Sequence, residues 1–478
     1  MDIQDSLELV GREFGLPQGS ALSPILFRLY VSDLGNSMYG NKDISVFKFA
    51  DDGTIRIKAP NTHECLKILN SVCIDITKWT SMWRMVINCD PSKTELICFG
   101  TAENDKLLIP ADFPLGNKRI KFVEKTKALG LILDKDLSYI EHGKYVNRKA
   151  LHKWVTICKY TNRNWGFKQH VIVRLLEVLL GTCICYAGIV WMNTKSLAEV
   201  KSTWYKVLKS ATGAVFNIKL ETAEILLGVP PLETQNRINS IKHILKMNIL
   251  PPMKDPLKDL ICHQLSSTSY CRATGKMKDA FQFLKWKMEY FDSDFTEDER
   301  SIIENSQFEN FGQLSVKACS YTKGIIRKFI ELLWQSKSNS IYQLDGYQEA
   351  PKVYLAKLAA PSNLSRKIET LTMSLFYPNN LLAPFLYRYD STRFTSPLCP
   401  CGRGEQTASH ILLHCKYTGP KIHSEASKFL NENQFHPPSA IAVQTPLLLS
   451  WSRIPGFLQL CIDAVEKIQH LLVTEISL

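Results

Sequence analysis

No apolar run in this chain is long enough to cross a bilayer. The longest, Val178 to Met192, has 15 residues and follows Arg174 and Glu177, against the roughly 20 a span requires. It reads as a buried helix, and no membrane partner is expected. The start, Met1-Asp2-Ile3-Gln4-Asp5, lacks the basic and apolar segments of a secretory leader. The 14 cysteines are scattered without a disulfide-like framework. Free thiols in a reducing intracellular compartment, cytoplasmic or nuclear, follow. There is no internal repeat and no extended low-complexity tract, which excludes a solenoid or a tail-like chain. Nor is there an acidic excess: 58 Lys and Arg face 46 Asp and Glu, for a net charge of +12. That balance permits a nucleic-acid partner without requiring one.

What is present supports a folded protein of two to four domains, with 478 residues of which 45% are hydrophobic. Ser23-Pro24 suits a helix start, continued by Leu26, Phe27 and Tyr30. Residues 44–49 and 54–58 alternate as two strands, with Asp51-Asp52-Gly53 expected in the turn between them. Asn61 and Glu64 form a capping pair for a helix carrying Leu66, Leu69, Val72, Cys73, Ile76, Trp79 and Trp83 at helical spacing. Asp90-Pro91-Ser92-Lys93 reads as a turn before a strand. Lys127–Asp134 suggests a strand pair closing one small sheet near residue 135. Amphipathic helices dominate 140–345, as at 171–178, 197–211 and 238–249. Residues 250–310 are polar, hold an acidic run from Asp292 to Arg300, and read as a linker or irregular insertion. A final amphipathic helix is expected near the C-terminus.

Three constellations carry chemistry. Phe49-Ala50-Asp51-Asp52 presents adjacent carboxylates at a turn, the oxygen ligands that magnesium prefers. Gly15-Leu16-Pro17-Gln18-Gly19-Ser20-Ala21-Leu22-Ser23-Pro24-Ile25-Leu26-Phe27 precedes it by about two dozen residues, and Gly19 in it allows close backbone approach. Cys399, Cys401, His410 and Cys415 form a Cys-x-Cys-x8-His-x4-Cys cluster of the soft ligands that structural zinc demands, with His414 as an alternative to His410.

The first two blocks, in this order and spacing, resemble the reverse transcriptases of non-LTR retrotransposons of the LINE or jockey kind. The resemblance implies an α+β fold. A truncated palm would occupy 1–135, a mainly helical thumb and connector 136–345, and a C-terminal helical region 346–478 with a zinc knuckle at 399–415. It also implies RNA-directed DNA polymerase activity with magnesium, an RNA template, a DNA primer and deoxynucleoside triphosphates. In the family pattern Asp51 is a metal ligand supported by Asp52. Pro17, Gln18, Gly19, Ser20 and Phe49 face template and nucleotide, and Lys93 lies near the departing pyrophosphate. Leu129-Gly130 resembles the primer-grip hairpin, Thr222 to Leu232 the thumb and connector, and the cysteine cluster the C-terminal knuckle.

The chain departs from the pattern in four ways. Asp90-Pro91 stands where related elements have Asn-Pro, and Cys399 and Cys401 are closer than the common Cys-x-x-Cys. No ribonuclease H or endonuclease signature is visible. The family's first carboxylate, in a Phe-x-Asp-type block, is not found in residues 1–14, where Asp2 and Asp5 lack its context. The expectation is a polymerase fragment inactive alone. The alternatives are a non-catalytic nucleic-acid-binding remnant, or a relic or incomplete stretch of a longer sequence.

Overall fold

A computed structural model describes residues 15–100 except 18 and 39, 108–214 except 163 and 164, and 218–249. It further describes 272–332 except 323 and 331, then 365–375, 382–432 and 456–472. The chain divides into two compact units, Met1–His142 and Gly143–Leu478, each with its own core.

In the first unit, helix α1 spans Ser23–Tyr30 with proline in its first turn. Strands β1 (Ile44–Phe49) and β2 (Asp52–Ile57) follow, then helix α2 (Thr62–Met82). The Asn61 side chain accepts from the Glu64 amide at 2.8 Å, capping α2, a bond type worth about 1 kcal/mol. One face of α2 places Leu69 and Cys73 against Leu115 and Ile120, with Leu66, Ile76 and Ile57 at the margin. The β1–β2 register sets Ile44 opposite Ile57 and Val46 opposite Ile55. That pairing of apolar positions corrects the expected turn. Phe49 faces Asp52 and Gly53 faces Lys48, so the tip is Ala50-Asp51, and Asp52 begins β2. Hydrophobic pairing fixes register more strongly than the turn preference of Asp-Gly.

Among the described residues, the expected single sheet is instead three small ones. Besides β1–β2, strands β3 (Glu95–Leu96), β4 (Asp112–Leu115) and β5 (Lys118–Phe122) pair in the order β3-β5-β4. Strands β6 (Lys125–Ala128) and β7 (Leu131–Asp134) form a separate hairpin. Its turn is Leu129-Gly130, with φ of 45° and 83°, the doubly positive geometry of tight hairpins. The strand after Lys93 shrinks to two residues and pairs parallel with β5.

The second unit, as far as it is described, is helical. Helix α3 (Ile140–Cys158) buries Val146, Ala150, Trp154 and Ile157, and α4 spans Gln169–Leu175. The apolar run after α4 is not one straight helix. A π-helical turn at Leu176–Gly181 leads into Thr182–Cys185, and Ala187 at φ 49° breaks the path before Gly188–Trp191. Leu180, Ile184 and Trp191 are buried, and no described helix is long and apolar enough to cross a membrane. Helix Thr194–Thr212 starts at a capping box of Asn193 and Ser196 and ends at Gly213.

Two further helices correct the expected linker, at Arg272–Tyr290 and Glu297–Glu304. Phe281, Phe283, Leu284 and Ile303 are fully buried in the core that they build with Ile241 and Leu245. The acidic run divides into a 3-10 turn at Asp292–Asp294 and the first turn of the second helix, Glu297 to Glu299, which is capped reciprocally by Thr296 and Glu299. Acidic residues there complement the helix dipole, so a charge cluster that looks like a linker marks a helix start. Residues 250–271 lie outside the described part. Helix Arg366–Ser374 carries an internal buried ion pair, Arg366–Glu369, whose two members also dock it on neighbouring segments. Arg366 Nη2 donates to the Ala211 carbonyl at 2.8 Å, and Glu369 Oε2 accepts from the Gln169 amide at 2.9 Å. The final helix, Phe457–Ile468, buries eight of its residues.

Candidate active site and metal centre

The hairpin tip carries the carboxylates. Ala50 sits at φ 53°, which lets the chain reverse within two residues. Phe49, Asp51 and Asp52 are all exposed there, Phe49 at 66%. Beneath the tip, Lys48 on β1 reaches back to the end of α1. Its Nζ donates to the carbonyls of Val31, Ser32 and Leu34 at 3.2, 2.7 and 3.0 Å. Burial pulls the Lys48 pKa below its ordinary value, against the opposing pull of Asp33. Asp33 in turn accepts from the indoles of Trp79 and Trp83 at 2.9 and 3.0 Å. Tyr30 donates to the Trp83 carbonyl at 2.5 Å and packs edge-on against its ring. Thus α1, β1 and α2 are tied together below Asp51. Sequence reading placed Trp79 and Trp83 only on a helix face; their i, i+4 spacing was the signal, and Asp33 and Lys48 carried none.

The glycine-rich block precedes α1 as a bent loop. Gly15 and Gly19 adopt φ of 87° and 92°, which glycine tolerates without strain. Ser23 Oγ donates to the Pro17 carbonyl at 2.6 Å, and Ser20 Oγ accepts from the Leu22 amide at 3.3 Å. Pro17 and Gly19 are exposed and Ser20 half-buried, while Gln18 lies outside the described residues. Lys93 is exposed after a turn in which its amide donates to Asp90 at 3.0 Å. Among the described residues, no group of three or more His, Cys, Asp or Glu ligands includes Asp51 or Asp52. Two adjacent exposed carboxylates suit a hard cation such as magnesium, but they supply only part of a two-ion ligand set.

The second cluster is assembled. The ligand atoms of Cys399, Cys401, His410 and Cys415 all lie within 4.8 Å of one another. Cys399 and Cys415 Sγ are 3.7 Å apart, and Cys401 Sγ is 3.1 Å from His410 Nε2. Tetrahedral zinc with Zn–S near 2.3 Å places sulfurs about 3.8 Å apart, so the pair of buried thiols fits. A tight turn makes the Cys-x-Cys spacing workable: Gly402, at φ 75°, donates to the Cys399 carbonyl at 2.9 Å. Cys399 donates to the Gly404 carbonyl at 2.8 Å, and the Arg403 amide reaches Cys401 Sγ at 3.4 Å.

Burial pushes the Cys399 thiol up to about 12. Burial also works against the Cys401 thiolate, but amides of Arg403 and Lys416 and the neighbouring thiols hold that group below its ordinary value. Burial, with His414, His423 and Arg403 nearby, lowers the His410 pKa and favours the neutral, ligating imidazole. Thr407 caps the short helix Ala408–Leu413 by accepting from the His410 amide at 3.1 Å, which orients the ring-bearing residue. His414 is exposed and outside the ligand group.

Residues 4–133 match the family described as reverse transcriptase (RNA-dependent DNA polymerase). The RNA-directed DNA polymerase from mobile element jockey of Drosophila melanogaster is 22% identical over 248 residues, covering 50% of this chain and 26% of that protein. The probable RNA-directed DNA polymerase from transposon X-element of the same organism is 26% identical over 149 residues, 30% of this chain and 16% of the relative. A retrovirus-related Pol polyprotein from type-1 retrotransposable element R1 2 of Nasonia vitripennis is 23% identical over 202 residues, 42% and 45% respectively. The chain thus spans about a quarter of the jockey protein's length and under half of the R1 polyprotein's. No solved structure matches it significantly.

Proposed function

Because the chain carries a reverse transcriptase domain of the non-LTR retrotransposon kind, we propose that it is part of an RNA-directed DNA polymerase that holds a template–primer duplex. Residues 1–135 are the palm portion, 136–345 the thumb and connector, and 346–478 a C-terminal region with a zinc knuckle. The single observation that carries this reading is the β1–β2 hairpin, which presents Asp51 and Asp52 on a braced tip inside the matched segment.

Asp51 and Asp52 would hold magnesium, which supplies charge neutralisation for the triphosphate and the primer hydroxyl. Pro17, Gln18, Gly19, Ser20 and Phe49 line the template and deoxynucleotide side, and the exposed Lys93 stabilises the leaving pyrophosphate. The knuckle residues Cys399, Cys401, His410 and Cys415 hold structural zinc. An intracellular setting, cytoplasmic or nuclear, suits the free described cysteines.

A second reading, a nucleic-acid-binding remnant without catalysis, is favoured by the lack of a third ligand beside Asp51 and Asp52 among the described residues. Primer extension on poly(A)·oligo(dT) with magnesium and thymidine triphosphate, run with the chain alone and with an upstream fingers segment added in cis, separates the two, since only a polymerase part regains extension in the second arm. For the chain alone we expect extension reduced by at least ~1000-fold relative to a polymerase with a full set of bridging carboxylates, because among the described residues no further ligand joins Asp51 and Asp52, with duplex binding retained. Robust extension abolished by Asp51→Ala would instead establish the chain as a competent polymerase. Neither extension nor duplex binding would sink both readings.

A further inference from the structure

Between Glu141 and Glu177 the chain has no acidic residue, yet it holds Lys144, Arg148, Lys149, Lys153, Lys159, Arg163, Lys168 and Arg174. Some of these are committed locally. Lys153 donates to the Leu179 carbonyl at 3.1 Å, and Arg174 pairs with Glu177. Lys144, Arg148 and Lys159 are exposed along one side of α3 and just beyond its end, a line of about 20 Å at the helical rise.

That line runs into a loop bearing three exposed aromatic rings. Tyr160 and Trp165 are each 58% exposed and Phe167 is 38% exposed. The loop is held in shape by its own backbone. Phe167 donates to the Tyr160 carbonyl at 3.1 Å, and Asn162 donates to the Trp165 carbonyl at 3.0 Å. Thr161 and Gly166 form a bridge, and Gly166, at φ 96°, has no room for a Cβ against the Tyr160 carbonyl. The buried Arg366 braces it from below, with Nε donating to the Asn162 carbonyl at 3.3 Å while Nη2 holds Ala211.

We propose that this loop and the adjoining side of α3 form a stacking platform for single-stranded nucleic acid. Tyr160 and Phe167 pack on each other with ring centroids 6.0 Å apart, and with Trp165 they keep much of their aromatic surface in water, where bases of an unpaired strand stack irrespective of sequence. The cations along α3 have the spacing and sign to follow the phosphates. Because backbone hydrogen bonds already join Tyr160 to Phe167 and Asn162 to Trp165, little conformational entropy of the ring-bearing residues is lost when a strand docks. A base-paired duplex keeps its bases stacked on each other and cannot use the rings, so the platform selects the unpaired strand. The proposal rests on the nucleic-acid reading above but needs no catalysis at Asp51.

The test measures affinity of the full chain for labelled oligo(dT) and for a blunt RNA–DNA duplex. Trp165→Ala is expected to weaken oligo(dT) binding by about 5- to 100-fold, the effect of losing one stacked base, with duplex affinity and thermal unfolding unchanged. Trp165→Phe should restore most of the binding. Arg148→Ala should lower the salt slope for oligo(dT) by about 0.7, one phosphate contact on a single strand, whereas Trp165→Ala should leave the slope alone. Wild-type oligo(dT) affinity in both Trp165→Ala and Tyr160→Ala overturns the proposal. So does an equal loss for duplex and single strand. Binding to phosphatidylserine vesicles that Trp165→Ala abolishes, with oligo(dT) binding intact, would assign the surface to a membrane and overturn it as well. A chain that binds oligo(dT) through Trp165 but fails on duplex keeps this proposal and refutes template–primer binding.

Discussion

Asp33 accepts the Trp79 indole hydrogen bond at 2.9 Å, and its other carboxylate oxygen takes the Trp83 indole at 3.0 Å. One carboxylate thus fastens the end of α2 to the segment after α1, beside the Lys48 amine that holds β1 there. Asp33→Ala leaves two indole donors without their acceptor and removes the negative charge near the partly buried Lys48 ammonium. We predict a loss of about 2 kcal/mol in the stability of the first unit, with Asp33→Asn losing less because its carbonyl still accepts. Urea unfolding followed by near-ultraviolet circular dichroism reads this directly; an unchanged midpoint would show that the carboxylate is not holding α2.

Glu224 provides a pH-dependent prediction for the second unit. It is 4% exposed on helix Leu220–Leu227. Burial, helped by Glu233 and Glu221 and opposed by Lys201, raises its pKa to about 8. An unfolded glutamate ionises near 4.3, so between these values the folded chain binds more protons than the unfolded one. Stability therefore falls as pH rises from about 4.3 towards 8. Glu224→Gln removes that penalty and should stabilise at pH ~8 by on the order of 2–4 kcal/mol, with little effect near pH ~4. Thermal unfolding at both ends of the range checks the sign; stabilisation that is larger at the acidic end contradicts it.

The parts of the fold legible from sequence were those whose signals are local. The β1–β2 hairpin shows in the alternation of Ile55 and Ile57, the α2 start in Asn61 and Glu64, and the zinc-type cluster in Cys399 to Cys415. The register at Ala50-Asp51 was not legible, because it depends on which isoleucines face each other across the strands. Helix Arg272–Tyr290 was hidden by polar residues on its outer side, although Met277, Ala280, Phe281 and Leu284 mark a buried stripe. His410 was already the ligand chosen from sequence with His414 as the alternative, and the fold groups His410 with the three cysteines and leaves His414 exposed outside the group.

Duplex binding should be governed by salt. If the basic excess tracks phosphates, affinity for RNA–DNA duplex falls by roughly tenfold or more between ~50 and ~200 mM salt, and different duplex sequences bind alike. Fluorescence anisotropy across a salt series supplies the slope. A flat dependence would mean that the charges of this chain serve solubility and that its contacts to nucleic acid, if any, are not ionic.

The knuckle makes the sharpest prediction, because its four ligand atoms come from one short segment. Cys399 and Cys415 are buried with their sulfurs 3.7 Å apart, and Cys401 and His410 complete the set. Two buried thiols at that distance have no disulfide between them, and the Cys401 sulfur lies 3.1 Å from the His410 imidazole. The zinc ion proposed above would account for the grouping of all four. The freshly reduced full chain should carry one zinc per molecule by metal analysis, and chelation should lower the stability of the helices Ala408–Leu413 and Pro420–Glu432 that pack around the site, because binding energy at a structural site is folding energy. Cys415→Ser and His410→Ala should each lose stoichiometric metal, whereas His414→Ala should keep it. The His pair is decisive: retained zinc in His410→Ala together with loss in His414→Ala would exchange the two ligands, and absence of zinc from the intact reduced chain would remove the site altogether.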